Sequence, residues 1–304
     1  MKKGIFTLAL VMAVALSVTG CKSTDYKDAV ALEEQGDYSG ALELFDGISD
    51  YKDSADHIAY CTDMNDAIKA YDNTKDNLEG LNNELQTKID DATTLTTSGT
   101  PLDETLITSL ETSISEAKAA KVEVIDLPET ADEINKAAET MDAADYTEVL
   151  VNLETAYEAL DVSIQQYALV DNPTEGFVID RLGKVEGIVD ISAVTEDNDP
   201  NGHLNKAGGY TAQIYFSSDK INQSSVYGTT LIEKGTEAGG SIEVYKTAEE
   251  AQARETYLAA FDGGIFASGS HKIVGTCLVR TSDKLTASQQ TEFEAAIIEA
   301  LTAL

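Results

Sequence analysis

The chain has 304 residues, 42% of them hydrophobic, which is enough for two or three domains of ordinary size and too apolar for a disordered chain. Lysine and arginine number 21 against 54 acidic residues, a formal net charge of −33 that excludes a nucleic-acid backbone as partner. With three cysteines, three histidines and no tryptophan, neither a disulfide framework nor a clustered Cys/His metal centre can be assembled, so no resident cofactor is expected.

At the N-terminus Lys2 and Lys3 precede an apolar run from Ile5 to Val18 that ends in small residues at Cys21. The run is about 14 residues, shorter than the roughly 20 needed to span a bilayer, and residues 1–20 therefore read as a cleaved signal peptide. The junction Val18-Thr19-Gly20-Cys21 resembles the lipobox of bacterial lipoproteins. That resemblance implies that the Cys21 thiol takes a diacylglyceryl group and becomes the mature N-terminus. The protein would then be lipid-anchored in the cell membrane and face its extracytoplasmic side. Two acyl chains anchor stably where one is marginal, because each buried methylene contributes about 0.8 kcal/mol.

Residues 21–66 carry a short internal repeat: Asp25-Tyr26-Lys27-Asp28-Ala29 returns as Asp50-Tyr51-Lys52-Asp53-Ser54-Ala55. Between the copies, Gly36-Asp37-Tyr38 followed by Ala41 and Phe45 is similar to the second half of a tetratricopeptide repeat, in which small and large residues interlock two antiparallel helices. Helices over 25–35, 38–48 and 52–70 are expected. They make about one and a half repeats, short of the roughly three that form a stable concave surface, and so suggest a spacer or cap.

Residues 67–172 read as an antiparallel helical bundle. Leu78, Leu81, Leu85, Ile89 and Ala92 keep the spacing of one buried helical face, as do Leu102, Leu106, Leu110 and Ile114. A third stripe runs Tyr146, Leu150, Leu153, Tyr157, Leu160, Ile164, Tyr167 in alternating steps of four and three. Pro101 and Pro128 are expected at the first positions of helices. Residues 22–172 hold nine lysines and no arginine against 35 acidic residues, so the negative charge is concentrated in this half.

At Pro173 the pattern changes, and 173–304 reads as an α+β sandwich domain that should fold alone. Strands are expected over Phe177–Val194, Tyr210–Phe216, Gly240–Tyr245 and His271–Val279. Thr247 caps a helix over Ala248–Phe261, and a terminal helix over Thr286–Leu304 carries Phe293, Ile297 and Leu301 at spacing four. The stretches TEDNDPNGHLNKAGGYTAQIYF, GGSIEVYKTAEEAQARETYL and GSHKIVGTCLVRTSDKLTASQQ resemble a C-terminal domain of Firmicutes surface lipoproteins. This resemblance implies a Gram-positive cell envelope and transfers no catalytic residue.

One loop carries a partial chemical motif. In Asp197-Asn198-Asp199-Pro200-Asn201-Gly202, the acids, the amide and the glycine stand where a calcium loop places them, but Gly208 occupies the twelfth position, where a bidentate Glu belongs. Asp197, Asp199 and Asn201 are equally the residues of a tight turn, which we take as the first reading with calcium as the alternative. His57 and Cys61 stand at helical spacing, but a buried thiol beside a surface histidine is the plain reading. No HExxH, G-x-S-x-G, Walker loop or CxxC occurs.

The whole chain thus reads as multidomain, with an all-α N-terminal half followed by an α+β domain. The expected role is a non-catalytic binding or envelope-structural one. Its partners would be the membrane, through Cys21, and an envelope protein or glycan. The rival reading is an envelope-polymer hydrolase that uses carboxylates of the C-terminal domain.

Overall fold

A computed structural model describes residues 21–263 and 269–304, so the signal-peptide reading of residues 1–20 lies outside the described residues. The chain is all-α in its N-terminal part and ends in an α+β domain built on an antiparallel sheet. It divides into two compact units. Residues 21–85 with Lys121–Tyr146 form the first, and Gln86–Ala120 with Thr147–Leu304 form the second.

In the first unit, α1 (Lys22–Glu34) and α2 (Tyr38–Asp46) are joined by a three-residue turn. Gly36 adopts φ +80° there, a conformation that costs glycine little. Asp37 caps α2 by accepting the Gly40 N–H at 2.9 Å. Ala29, Ala41, Phe45, Ile48 and Cys61 form the core between these helices and the start of α3 (Ser54–Leu95). The two copies of the short repeat meet. Tyr26 and Tyr51 pack edge to face at 5.8 Å, the Tyr26 hydroxyl donates to Asp53 at 2.7 Å, and Lys52 Nζ lies 4.0 Å from the Tyr26 ring centre.

The helix expected to stop near residue 70 runs on to Leu95 as part of α3, because no proline interrupts 54–100 and the buried stripe Leu78, Leu85, Ile89, Ala92 continues. An extended segment over 121–128 lies along it: the Tyr71 hydroxyl donates to the Ile125 carbonyl at 2.5 Å, and Asn82 Nδ2 donates to Val122 O at 3.0 Å. The Tyr146 hydroxyl donates to Asn82 Oδ1 and accepts the Val122 N–H, at 2.8 and 2.9 Å. Pro128 belongs to this extended segment, and the cap of α5 (Ala131–Asp142) is instead Thr130, whose hydroxyl accepts the Glu133 N–H.

In the second unit, α4 (Thr105–Ala120) packs on α6 (Thr147–Val170). Here too the proline precedes the helix: Asp103, not Pro101, sets its start by accepting the Thr105 N–H at 2.9 Å. The first half of the stretch read as a strand, Phe177–Val194, is helical. Thr174 accepts the Phe177 N–H, and α7 (Glu175–Leu182) buries Val178 and Leu182 at spacing four. Only β1 (Ile188–Ala193) is a strand there. The chain then runs β2 (Ala212–Ser218), the short α8 (Leu231–Lys234), β3 (Gly239–Val244), α9 (Ala248–Ala259), β4 (His271–Val274), β5 (Cys277–Thr281) and α10 (Ala287–Thr302). The expected strand His271–Val279 is a hairpin because Gly275 turns the chain at φ +56°; a Cβ at that position would stand 2.6 Å from Val170.

The sheet order is β1-β2-β3-β5-β4, antiparallel throughout. One face is apolar: Ile214, Phe216, Ile242, Val244 and Val279 pack against Val178 and Leu182 of α7 and Phe293, Ile297 and Leu301 of α10. Val170 at the end of α6 belongs to the same core, and Leu102 packs against it. The Val170 carbonyl accepts the Thr276 N–H at 2.9 Å and its hydroxyl at 3.1 Å. The change at Pro173 therefore falls inside this unit. The other face is also covered, by α9 and by the segment 194–210, so the sheet is packed on both sides.

Candidate functional site

Strand alternation puts Gln213 and Tyr215 of β2, Ser241 and Glu243 of β3, and Leu278 and Arg280 of β5 on the second face, in register as Gln213 opposite Glu243 and Ser241 opposite Arg280. All of them are buried, so this face presents a polar layer to the protein interior where alternation would normally present one to water. At its centre is Glu243, fully buried. Arg280 Nη1 donates to its Oε1 at 2.9 Å, and Arg254 Nε of α9 and the Tyr245 hydroxyl donate to its Oε2 at 2.9 and 2.7 Å.

Burial alone would raise the Glu243 pKa, but the charges of Arg280 and Arg254 and the hydrogen bonds from Arg254 and Tyr245 outweigh it, leaving the carboxyl ionised below its ordinary range. The same layer pushes the tyrosines up: Tyr215 to about 12 through burial and the Glu243 charge, and Tyr245 upward for the same two reasons. The chain has only three arginines, and two of them bind this one glutamate.

The loop that carried the calcium motif roofs the neighbouring part of this face. Asp199 Oδ1 accepts the Asn201 N–H at 3.0 Å and the Tyr210 hydroxyl, and Oδ2 accepts the Leu204 N–H at 2.8 Å. Burial opposes ionisation of Asp199, yet the Tyr210 hydroxyl and the backbone N–H groups of Leu204, Asn201 and Gly202 hold its pKa at about 2. Burial and Asp199 in turn raise Tyr210. Asn201 Nδ2 faces Tyr210 and Gln213, at 3.4 and 3.3 Å, while Asp197 is exposed. The structure thus joins Asp199 and Asn201 in one turn and leaves Asp197 outside it. Among the described residues, no group of three or more His, Cys, Asp or Glu side chains is arranged to hold a metal ion.

Cys21 is exposed, while Cys61 and Cys277 are buried free thiols. Cys61 Sγ and His57 Nδ1 both reach Glu33 Oε2, at 3.4 and 2.7 Å, and burial followed by the Glu33 hydrogen bond pushes the thiol up to about 12. Burial, with the charge of Asp171, likewise raises Cys277 to about 12, so neither sulfur is poised as a nucleophile. His271 lies between Glu255 and Asp262, at 3.3 and 3.2 Å, and the hairpin register puts Arg280 across from it and Cys277 across from Val274.

Sequence reasoning passed over the Glu243 layer because GGSIEVY reads as an ordinary strand. The available signal was an acid at its centre in a domain with almost no arginine except at 254 and 280. No family model matches this chain, and no curated protein or solved structure matches it significantly.

Proposed function

We propose that this is a lipid-anchored protein of the extracytoplasmic face of a bacterial cell membrane, with a non-catalytic binding or envelope-structural role. The observation that carries the reading is the Val18-Thr19-Gly20-Cys21 junction behind a basic and apolar leader, with Cys21 exposed at the head of α1. Among the described residues no helix is long and apolar enough to cross a membrane, so the acyl chains would supply the attachment. In finer terms, α1, α2 and the start of α3 make a tetratricopeptide-like hairpin, α3, α4 and α6 supply bundle helices, and the sheet with its helices is a layered α+β sandwich.

The non-catalytic reading draws support from two carboxylates of the C-terminal domain that the fold itself engages. Glu243 is ionised, buried and bound by three donors, and Asp199 is bound by backbone N–H groups and Tyr210. A hydrolase needs one protonated and one ionised carboxyl facing a substrate cleft, and these two groups are instead bound up in holding strands, helix and loop together. The excess of acid in residues 22–172 suits a solvated helix surface. Fractionation of cells expressing Cys21→Ala tests the anchor. The variant should leave the membrane fraction or accumulate as unprocessed precursor, and partition into detergent like wild type would refute the reading.

A further inference from the structure

Residues around Cys21 carry the anchoring reading one step further. Cys21 is not on a free tether: α1 begins at the next residue, and the Cys21 carbonyl already accepts the Thr24 and Asp25 N–H groups at 2.6 and 3.2 Å. The turn after α2 lies at the same end of the hairpin, because Lys22 Nζ reaches both Asp50 oxygens, at 2.6 and 2.7 Å. Resting on the acylation of Cys21 proposed above, we infer that this end of the hairpin, α1's first turn with residues 47–53, lies directly against the lipid headgroups with no spacer.

The headgroup layer adds roughly 5–8 Å to each side of the hydrocarbon core, and acyl chains on Cys21 enter that core, so groups within about 10 Å of the sulfur are in or against the headgroups. Lys22 is the adjacent residue, and Asp50 is tied to its side chain. Tyr26 and Tyr51 pack on the hairpin core, with Lys52 over the Tyr26 ring, and so fix residues 50–53 against α1. In the first turn of α1 and residues 47–53, Lys22 and Lys52 stand against Asp25, Asp50 and Asp53, a small negative excess, so the fitting surface is zwitterionic and not anionic lipid. The opposite turn, at Gln35–Asp37, is about 20 Å away along α1's 13 residues.

The test uses the full-length acylated chain in phosphatidylcholine vesicles, with a fluorophore on Ser49→Cys or Gln35→Cys, both exposed positions. Cys61 and Cys277 are buried, and unsubstituted protein controls for their labelling. Quenching by aqueous iodide should be weaker at 49 than at 35 by about threefold or more, because headgroups cover only the anchored end. Inserting about ten Gly/Ser residues between Cys21 and Lys22 should bring the two positions level, since a flexible tether frees the hairpin. Equal quenching at 49 and 35 in acylated, vesicle-bound protein without the insert overturns the docking and leaves the anchor standing. Absence of the acyl mass on Cys21 removes both.

Discussion

Replacing Glu243 by Gln keeps the shape of the side chain and removes its charge, so it isolates the ionic part of the buried layer. In the folded protein the carboxylate accepts from Arg280, Arg254 and Tyr245, all within 2.7–2.9 Å, and it is fully buried. An amide cannot satisfy both guanidiniums: its nitrogen is a donor and would face one of them. Breaking a buried pair by removing one partner costs about 3–5 kcal/mol, and the two arginines put this case within that range. Such a loss is a large share of the 5–15 kcal/mol that stabilises a typical domain.

The assay is urea unfolding of the mature chain followed by circular dichroism, at pH 7 and through the acid range. Glu243 has a folded pKa below its ordinary value, so its stabilisation is present above the unfolded value, near 4.5, and fades as pH falls through the folded one. The gap between wild type and Glu243→Gln should therefore be about 3–5 kcal/mol at pH 7 and shrink below about pH 4. A gap under about 1 kcal/mol at pH 7, or one that does not narrow in acid, would refute the reading of this layer as a structural tie.

Three further outcomes follow from the same geometry. Asp199→Ala should destabilise the C-terminal domain by roughly 2 kcal/mol at pH 7, matching a shift from 3.8 to about 2, and that contribution should vanish in wild type as pH falls from about 4 to 2. Millimolar calcium against chelator should leave the wild-type melting temperature unchanged, because the Asp199 oxygens already serve the loop's own N–H groups; a calorimetric shift abolished by Asp199→Ala would favour the calcium reading. Val170→Ala should cost roughly 2 kcal/mol by urea unfolding, and a fragment starting at residue 173 should melt below one starting at Thr147, since Val170 fills the core under the sheet.

Helical periodicity was the legible part of the fold. The stripes at 78–92 and 150–167 are helices because their spacing has few competing interpretations over that length, while Tyr146, expected on the second stripe, stands just before α6; Thr247 caps α9 as its residue pattern predicts. Where the reading of 177–194 failed, the cause is local: Phe177, Val178, Ile179, Leu182 and Val185 form an apolar run that suits a strand or a short helix, and Thr174 decides in favour of helix through its cap. Pro101 and Pro128 misled by a few residues, since a proline that is tolerated in a first helical turn also suits the extended approach to one.

The candidate site was less legible. Asp199 emerged from its loop because Asp, Asn, Pro and Gly carry local turn chemistry. Glu243, Arg254 and Arg280 lie on three separate elements and meet only through the β3–β5 register and the packing of α9, contacts that no short window of sequence contains.

Mass spectrometry of the membrane-extracted protein reads the identity of the mature N-terminus. The expected chain starts at Cys21, with an N-terminal peptide ending at Lys22 or Lys27 that carries a diacylglyceryl mass on the cysteine. A mature chain that retains residues 1–20, or that begins elsewhere with an unmodified Cys21 thiol, would contradict it.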